Sequence, residues 1–119
     1  MSRPKFTKID EMIPGTRINC ICKIIRGIMS ASTVRSDGTK VSFAEVEVGD
    51  ESGAIRLRLF NNQCDLAKEN QSIIIRDGIV AITGDLLRIE IDNYSTIEAS
   101  PISYTKQINT INLRVNSKI

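Results

Sequence analysis

Aromatic and basic residues in the middle of the chain have the types and spacing that suit binding of a nucleic acid. Phe43 precedes a turn at 49–53, and Phe60 follows that turn at a similar distance, with Arg56 and Arg58 in between. Bases stack on aromatic rings, and Arg or Lys side chains bind phosphates or stack on bases. Further basic residues extend this set along the chain. The candidate nucleic-acid-binding residues are Arg35, Lys40, Phe43, Arg56, Arg58, Phe60, Arg76 and Arg88.

Enzyme chemistry finds little support in the sequence. The chain has no His, which excludes a His general base at neutral pH. Cys64 therefore has no imidazole partner for a Cys–His nucleophile, and no glycine-rich phosphate loop is present. Cys20 and Cys22 share one face of a predicted strand with apolar neighbours, which favours buried free thiols, and a four-ligand zinc site lacks ligands. We predict a protein that is not an enzyme and has no cofactor or metal ion.

The residues opposite the arginines leave two interpretations open. Antiparallel partners point to the same face of a sheet. The register that satisfies this rule pairs Phe43 with Phe60, Glu45 with Arg58, Val46 with Leu57 and Glu47 with Arg56. One interpretation is a solvated face of salt pairs, which contribute about 0–1 kcal/mol each, and whose glutamates would repel phosphates. The other is a nucleic-acid platform, which the Phe pair favours because solvated faces seldom keep such a pair without a use.

Five segments with the composition of strands position these residues. Residues 16–29 form a long β-branched segment that Gly27 allows to bend, and a polar loop over 30–40 follows. The other predicted elements are strands over 41–48, 54–60, 72–82 and 86–91, a weakly helical stretch over 61–70, and a short closing segment over 97–102. Five antiparallel strands that close into a small barrel form an OB-fold. We predict an all-β, five-stranded OB-fold Greek-key barrel and leave open an extra C-terminal strand.

Length and composition predict a single domain. The chain has 119 residues, of which 41% are hydrophobic and 25% charged, as in an ordinary globular protein. Alternation at Ile111, Leu113 and Val115 is typical of a strand. The predicted divisions are an N-terminal arm over 1–10, the OB-fold domain over 11–103, and a C-terminal tail or added strand over 104–119.

Charge and cysteine content limit the partners and the location. The formal net charge of +2 permits binding to a polyanion without requiring it. An odd number of cysteines, three, indicates reduced thiols and a reducing compartment. No apolar run is long enough to span a bilayer, and the first residues lack an apolar signal region. We therefore expect an intracellular protein, nuclear or cytoplasmic, with no membrane partner.

Several short stretches resemble a known family. The segments that carry this resemblance are Phe6, Ile13-Pro14-Gly15, Asp50-Glu51-Ser52-Gly53-Ala54-Ile55 and Leu59-Phe60. They resemble the single-OB-fold single-stranded DNA-binding proteins, which include the B subunit of the sensor of single-stranded DNA complex and archaeal replication protein A-like proteins. A second set is more similar to small plant OB-fold proteins of unassigned role: Asp65-Leu66-Ala67-Lys68, Asp92-Asn93-Tyr94 and Ile97-Glu98-Ala99. The resemblance covers roughly residues 6–100.

The resemblance implies single-stranded DNA binding without a cofactor or a chemical step. It places Phe60 where the family has a stacking Trp at the end of the third strand. Other stacking aromatics of the family would fall near Ile79, Thr83 and Glu90, and none of these residues is aromatic. Tyr94 matches an aromatic in the plant-type relatives. The resemblance therefore implies fewer stacking rings here than in the family at large.

Two hypotheses of function follow. The first is non-catalytic binding of single-stranded nucleic acid, with DNA favoured over RNA as the partner. The second is a protein-interaction OB domain that serves as a subunit of a larger complex, such as a genome-maintenance complex. The low net charge, the missing aromatics and the apolar residues of the tail motivate this second hypothesis.

Overall fold

A computed structural model describes residues 5–110 of the chain. Its strands are rich in Ile and other β-branched residues, which favour extended backbone. The strands are β1 (Arg17–Val34), β2 (Lys40–Gly49), β3 (Ala54–Phe60), β4 (Ser72–Thr83), β5 (Leu86–Glu90) and β6 (Thr96–Ala99). Two 3₁₀ turns, Ile9–Glu11 and Asn61–Leu66, lie before β1 and after β3. Within the described residues, no helix has the length and apolar character needed to cross a membrane.

Five of the strands close into a barrel, which confirms the predicted fold class. The order β1–β2–β3–β5–β4 returns to its start because β4 also pairs with β1. β6 pairs with β4 and corresponds to the short closing segment predicted over 97–102. The prediction that all five barrel strands are antiparallel is wrong for one pair, since β3 and β5 run parallel. A ring with an odd number of strands cannot alternate in direction throughout, so one pair must be parallel.

β1 and β2 extend beyond the barrel as a two-stranded ribbon. The sequence predicted a polar loop over 30–40, but β1 continues to Val34 and β2 begins at Lys40, so the loop spans only 35–39. The two strands pair with each other along this ribbon. Every residue from 30 to 40 is nevertheless exposed to solvent. Alternation of apolar and polar residues in a sequence marks a strand with one buried face. A ribbon that is solvated on both faces lacks this pattern, so the sequence did not predict it.

The core consists of inward-facing aliphatic side chains from all five barrel strands. β1 contributes four alternate residues, Ile18, Cys20, Cys22 and Ile24. Both cysteines are free and fully buried, as predicted. Ile9 and Met12 are also fully buried in this core. Because Ile9 belongs to the predicted N-terminal arm, the last part of that arm takes part in the core.

The segment after β6 returns to the turn between β2 and β3. The backbone N–H of Asn109 donates to the carbonyl of Asp50 at 2.9 Å. A Cβ atom added at Gly49 would lie 2.6 Å from the Ile108 side chain, so the close approach of this segment requires glycine there. The alternating residues of the predicted tail lie outside the described residues: Ile111, Leu113 and Val115.

Candidate nucleic-acid interface

β2 and β3 form the predicted hairpin in the predicted register. The pairs are Phe43 with Phe60, Glu45 with Arg58, Val46 with Leu57 and Glu47 with Arg56. Val46 and Leu57 are buried in the core. Side chains alternate between the two faces of a strand, so the aromatic and charged pairs lie on the outer face.

A buried carboxylate fixes the turn of this hairpin. Asp50 Oδ1 accepts hydrogen bonds from the backbone N–H groups of Ser52 at 2.7 Å and Gly53 at 3.2 Å. Asp50 Oδ2 accepts a hydrogen bond from the N–H of Ile9 at 3.0 Å. Asp residues often form such bonds to the backbone in turns. Asp50 therefore holds the turn against the segment before β1.

The outward-facing residues form rows across the strands, because directly paired residues point to the same side. We call two of these rows the charged ladder, which comprises Arg26, Glu45, Glu47, Arg56, Arg58, Arg88 and Glu90. We call the next row toward the ribbon, together with the apolar residue opposite Glu45, the aromatic end, which comprises Ala31, Phe43 and Phe60 of that row and Met29.

The aromatic end presents an open apolar surface. Phe60 is 41% exposed, Met29 is also exposed, and Phe43 is half-buried. The turn after β3 fixes Phe60, since its backbone N–H donates to Gln63 Oε1 at 3.0 Å. The neighbouring Asn61 side chain accepts a hydrogen bond from the backbone of β2. Two phenyl rings are thus held on paired positions of adjacent strands, where bases can stack on them.

Two of the three glutamates of the charged ladder are buried, whereas one interpretation of the sequence made this face solvated. Glu45 is 6% exposed and Glu47 is 4% exposed. Arg26 Nε donates to Glu47 Oε1 at 3.2 Å, and the Arg58 guanidinium lies 3.9 Å from the Glu45 carboxylate. The ion pair of Glu47 is therefore with β1, although its partner in the hairpin register is Arg56.

Arg56 is the one cation of the charged ladder that forms no ion pair among the described residues. The Nε atoms of Arg56, Arg58 and Arg88 are buried and lack a hydrogen-bond partner in that part of the chain. Arg88 forms an ion pair with Glu90. Four arginines and three glutamates leave the ladder with one net positive charge. The ladder can therefore attract a phosphate, but only weakly.

The structure brings five of the eight candidate residues together and leaves three apart. Lys40 and Arg35 lie on the exposed ribbon, at the start of β2 and in the loop before it. Arg76 lies on β4 and bridges Glu98 of β6 at 2.8 Å. The residues that share the outer face of β2, β3 and β5 are Phe43, Phe60, Arg56, Arg58 and Arg88.

Sequence reasoning missed Arg26 as a member of this face. Strict alternation from Ile24 would turn Arg26 into the core. A bulge between Ile24 and Arg26 changes the register and turns Arg26 outward. The available signal was its charge, because an arginine at an inward position of a small barrel requires a bulge or a buried partner.

A cluster of charged residues lies at the turn of the hairpin, opposite the aromatic end. Glu51 forms ion pairs with Lys106 at 2.7 Å and Lys8 at 2.9 Å, and it accepts a hydrogen bond from the Tyr104 hydroxyl. Hydrogen bonds from Lys106, Lys8 and Tyr104 hold the pKa of the Glu51 carboxyl well below its usual range. Burial and the bond to Glu51 raise the pKa of the Tyr104 phenol. The cluster joins the first, middle and last parts of the described chain.

Two of the cysteine thiols, those of Cys22 and Cys64, are poorly suited to act as nucleophiles. The neighbouring Cys20 thiol and burial raise the pKa of Cys22 well above its ordinary value. Burial also raises the pKa of the Cys64 thiol. A thiolate is the reactive form, so both groups are poor nucleophiles at neutral pH. Between residues 5 and 110, no three metal-ligating side chains form a cluster that could hold an ion.

Comparison with known proteins adds a family match. Residues 10–99 match the model of a family described as single-stranded DNA-binding protein Ssb-like, OB fold. An uncharacterized protein of Arabidopsis thaliana is 27% identical over 93% of this chain and 80% of its own length.

Two solved structures have the same fold. The solution structure of a hypothetical protein from Arabidopsis thaliana has a TM-score of 0.76 and 24% identity, covering 93% of this chain and 83% of that one. The second OB-fold domain of replication protein A from Methanococcus maripaludis has a TM-score of 0.63 and 25% identity, covering 83% of this chain and 98% of that one. These findings confirm the resemblance that the sequence indicated.

Proposed function

Because the chain belongs to the Ssb-like family of single-stranded DNA-binding proteins with an OB fold, we propose that it binds single-stranded nucleic acid. The proposed site is the outer face of β2, β3 and β5, and the binding involves no chemical step. We propose that the protein prefers single-stranded DNA to single-stranded RNA, in line with the family description. The match to a replication protein A domain supports the same choice of ligand class.

The observation that carries the proposal is the aromatic end. Phe43 and Phe60 occupy paired positions at the edge of the barrel, and Phe60 leaves 41% of its surface to solvent. A base stacked on an aromatic ring contributes about 1–3 kcal/mol of binding free energy. Burying part of this exposed apolar surface under a base also removes it from water.

The arginines supply the second part of the proposed site. Arg56 lacks an ion pair among the described residues, so a phosphate would not have to displace a carboxylate from it. Arg58 and Arg88 lie beside it on the same face. Lys40 and Arg35 on the ribbon extend the basic surface from the aromatic end. This set gives a site that combines stacking with a modest electrostatic term.

Titration of fluorescently labelled oligonucleotides, followed by anisotropy at low salt, tests this proposal. Single-stranded DNA, single-stranded RNA and duplex DNA of equal length are compared. We expect saturable binding of single-stranded DNA, weaker binding of RNA and the weakest binding of duplex, whose bases are not free to stack. Absence of saturable binding to either single strand at tens of micromolar protein would overturn the proposal.

A second candidate function is docking of a partner protein, and an apolar cleft elsewhere on the barrel favours it. Phe6, Ile21 and Ile102 are exposed and line a cleft of about 250 Å³ beside Tyr104. Exposed apolar patches commonly mark interaction sites. Recovery of one stable partner in a pull-down that Ile21→Asp abolishes, together with no oligonucleotide binding, would favour this function over the first.

A further inference from the structure

Tyr94 is far more exposed than the rings of the aromatic end. It leaves 78% of its surface to solvent, against 41% for Phe60. It lies in the turn between β5 and β6, away from the proposed site. An exposed aromatic ring of this kind offers a face on which a base can stack.

The surroundings of Tyr94 place a cation beside its ring and fix its backbone. The Arg17 guanidinium lies 5.5 Å from the ring centroid, within the range of a cation–π contact. Arg17 donates to both carboxylate oxygens of Asp92, at 3.1 and 2.6 Å. Asp92 Oδ1 in turn accepts a hydrogen bond from the backbone N–H of Tyr94 at 3.0 Å. One face of the ring is thus covered by a cation, and the ring as a whole remains largely open to solvent.

The turn that carries Tyr94 is also fastened to the barrel. Asp77 of β4 has a φ of 55° at a bulge, and its carbonyl accepts hydrogen bonds from two groups. Arg17 donates to it at 2.9 Å and Ser95 Oγ at 2.7 Å. The Arg17 guanidinium also holds the pKa of the Asp92 carboxyl below its usual range. These bonds fix the backbone that carries Tyr94 and the arginine beside its ring, which reduces the entropy that the turn loses when a ligand binds.

The charged ladder leads to this position. Arg58 is registered beside Glu90 of β5, Glu90 opposite Ile79 of β4, and Ile79 opposite Arg17 of β1. These are three steps between adjacent strands, or about 14 Å at roughly 4.8 Å a step. A strand of nucleic acid that lies on the ladder can reach Tyr94 within the site size of about 4–16 nucleotides that OB-folds occupy.

We propose that Tyr94, held by Arg17, is a second stacking site, on which a base of the same single strand lies beyond the charged ladder. This inference rests on the proposed function. It also assigns a role to Arg76, a candidate binding residue that does not lie on the outer face of β2 and β3. Arg76 is registered opposite Thr96, two residues after Tyr94. A phosphate of the strand that binds there would share Arg76 with Glu98, its ion-pair partner at 2.8 Å.

Oligothymidylates of two lengths test this inference. Tyr94→Leu should weaken binding of a strand of about 12 nucleotides by about 5-fold or more, the loss of one stacked base. The same variant should leave a strand of about 4 nucleotides, too short to reach both sites, with an unchanged Kd. Ile102→Ala, which also alters an exposed apolar residue, is the matched control and should bind both strands normally. Tyr94→Phe keeps the ring and should restore the affinity.

A second measurement uses the fluorescence of the protein itself. The chain has two Tyr and no Trp, so its intrinsic emission comes from tyrosine, and a stacked base quenches a tyrosine. The longer strand should quench the wild-type emission, and Tyr94→Phe should lose most of that change while still binding.

The outcomes separate this inference from the proposed function. Normal binding of the longer strand by Tyr94→Leu, with weakened binding by Phe60→Ala, would overturn the second site and leave the proposed function intact. No binding of either strand by the wild-type protein would overturn both.

Discussion

The aromatic end and the charged ladder lie on the same face of the same hairpin. They differ in how far their side chains are already engaged by other residues of the protein. At the aromatic end, apolar surface remains exposed, and Phe60 leaves 41% of its surface to solvent. In the charged ladder, two buried glutamates already neutralise part of the arginine charge. The first region is open to a ligand, whereas three of the four arginines of the second already form ion pairs with its glutamates.

This difference indicates how much each region contributes to the free energy of binding. Stacking on the rings gains free energy without breaking a contact. A phosphate that approaches the ladder competes with Glu45 and Glu47 and finds one arginine, Arg56, without an ion pair among the described residues. We therefore expect the aromatic end to supply most of the affinity, and the ladder to orient the strand.

The largest expected effect is that of removing one ring from the aromatic end. Phe60→Ala should weaken binding of single-stranded DNA by about 1–3 kcal/mol, because one base loses its stacking partner. Phe6→Ala is a matched control, since Phe6 and Phe60 are both 41% exposed and Phe6 lies outside this face. Anisotropy titrations of the two variants measure the difference. Equal Kd values for both variants would contradict the division proposed here.

An intermediate effect is expected from the buried acid of the ladder. Glu47→Gln should lower the free energy of unfolding by about 1–3 kcal/mol, because the part-buried hydrogen bond from Arg26 loses its charged acceptor. The same change should leave DNA binding equal or tighter, since Arg26 becomes available to phosphate. Urea denaturation and anisotropy measure the two quantities.

Glu98→Gln serves as the control for this change. Glu98 and Arg76 form an exposed ion pair, whose loss should cost less than about 1 kcal/mol. Weaker DNA binding by Glu47→Gln, in a protein that is still folded, would show that the glutamate assists binding and does not oppose it.

The smallest effect is expected from Arg56. Arg56→Gln should weaken binding only a few-fold at low salt and should reduce the salt dependence by about 0.7 in the slope of log K against log salt, the loss of one phosphate contact. Lys106→Gln removes the same charge from the opposite end of the hairpin and should leave the slope unchanged. A loss of affinity on Arg56→Gln that matches the loss on Phe60→Ala would remove the distinction between the two regions.

The hairpin was predictable from the sequence because one of its faces is buried. Val46 and Leu57 alternate with polar residues, and a buried face fixes the register of a strand. The ribbon was not predictable in the same way, since β1 and β2 continue through 30–34 and 40–43 with little or no burial. The parallel pair of β3 and β5 followed from closure of an odd-numbered ring, which local patterns do not report.

The candidate site was predicted in part for the same reason. Alternation placed Phe43, Phe60, Arg56 and Arg58 on one face, and the pairing of the strands agrees. It did not reveal that Glu47 binds Arg26, because that contact depends on a bulge in β1. The position of Tyr94 depends on contacts between β1, β4 and the turn after β5, which are distant in sequence.

The most direct test of the central claim is the affinity for single-stranded DNA as a function of salt, for the wild-type protein and Phe60→Ala. We predict a shallow wild-type slope of about −1 to −2, equivalent to about one to three phosphate contacts. Phe60→Ala should give a parallel line displaced to weaker binding by about 5-fold or more. Coincident lines, or a steep slope of many phosphate contacts, would contradict the claim that stacking at the aromatic end supplies most of the affinity.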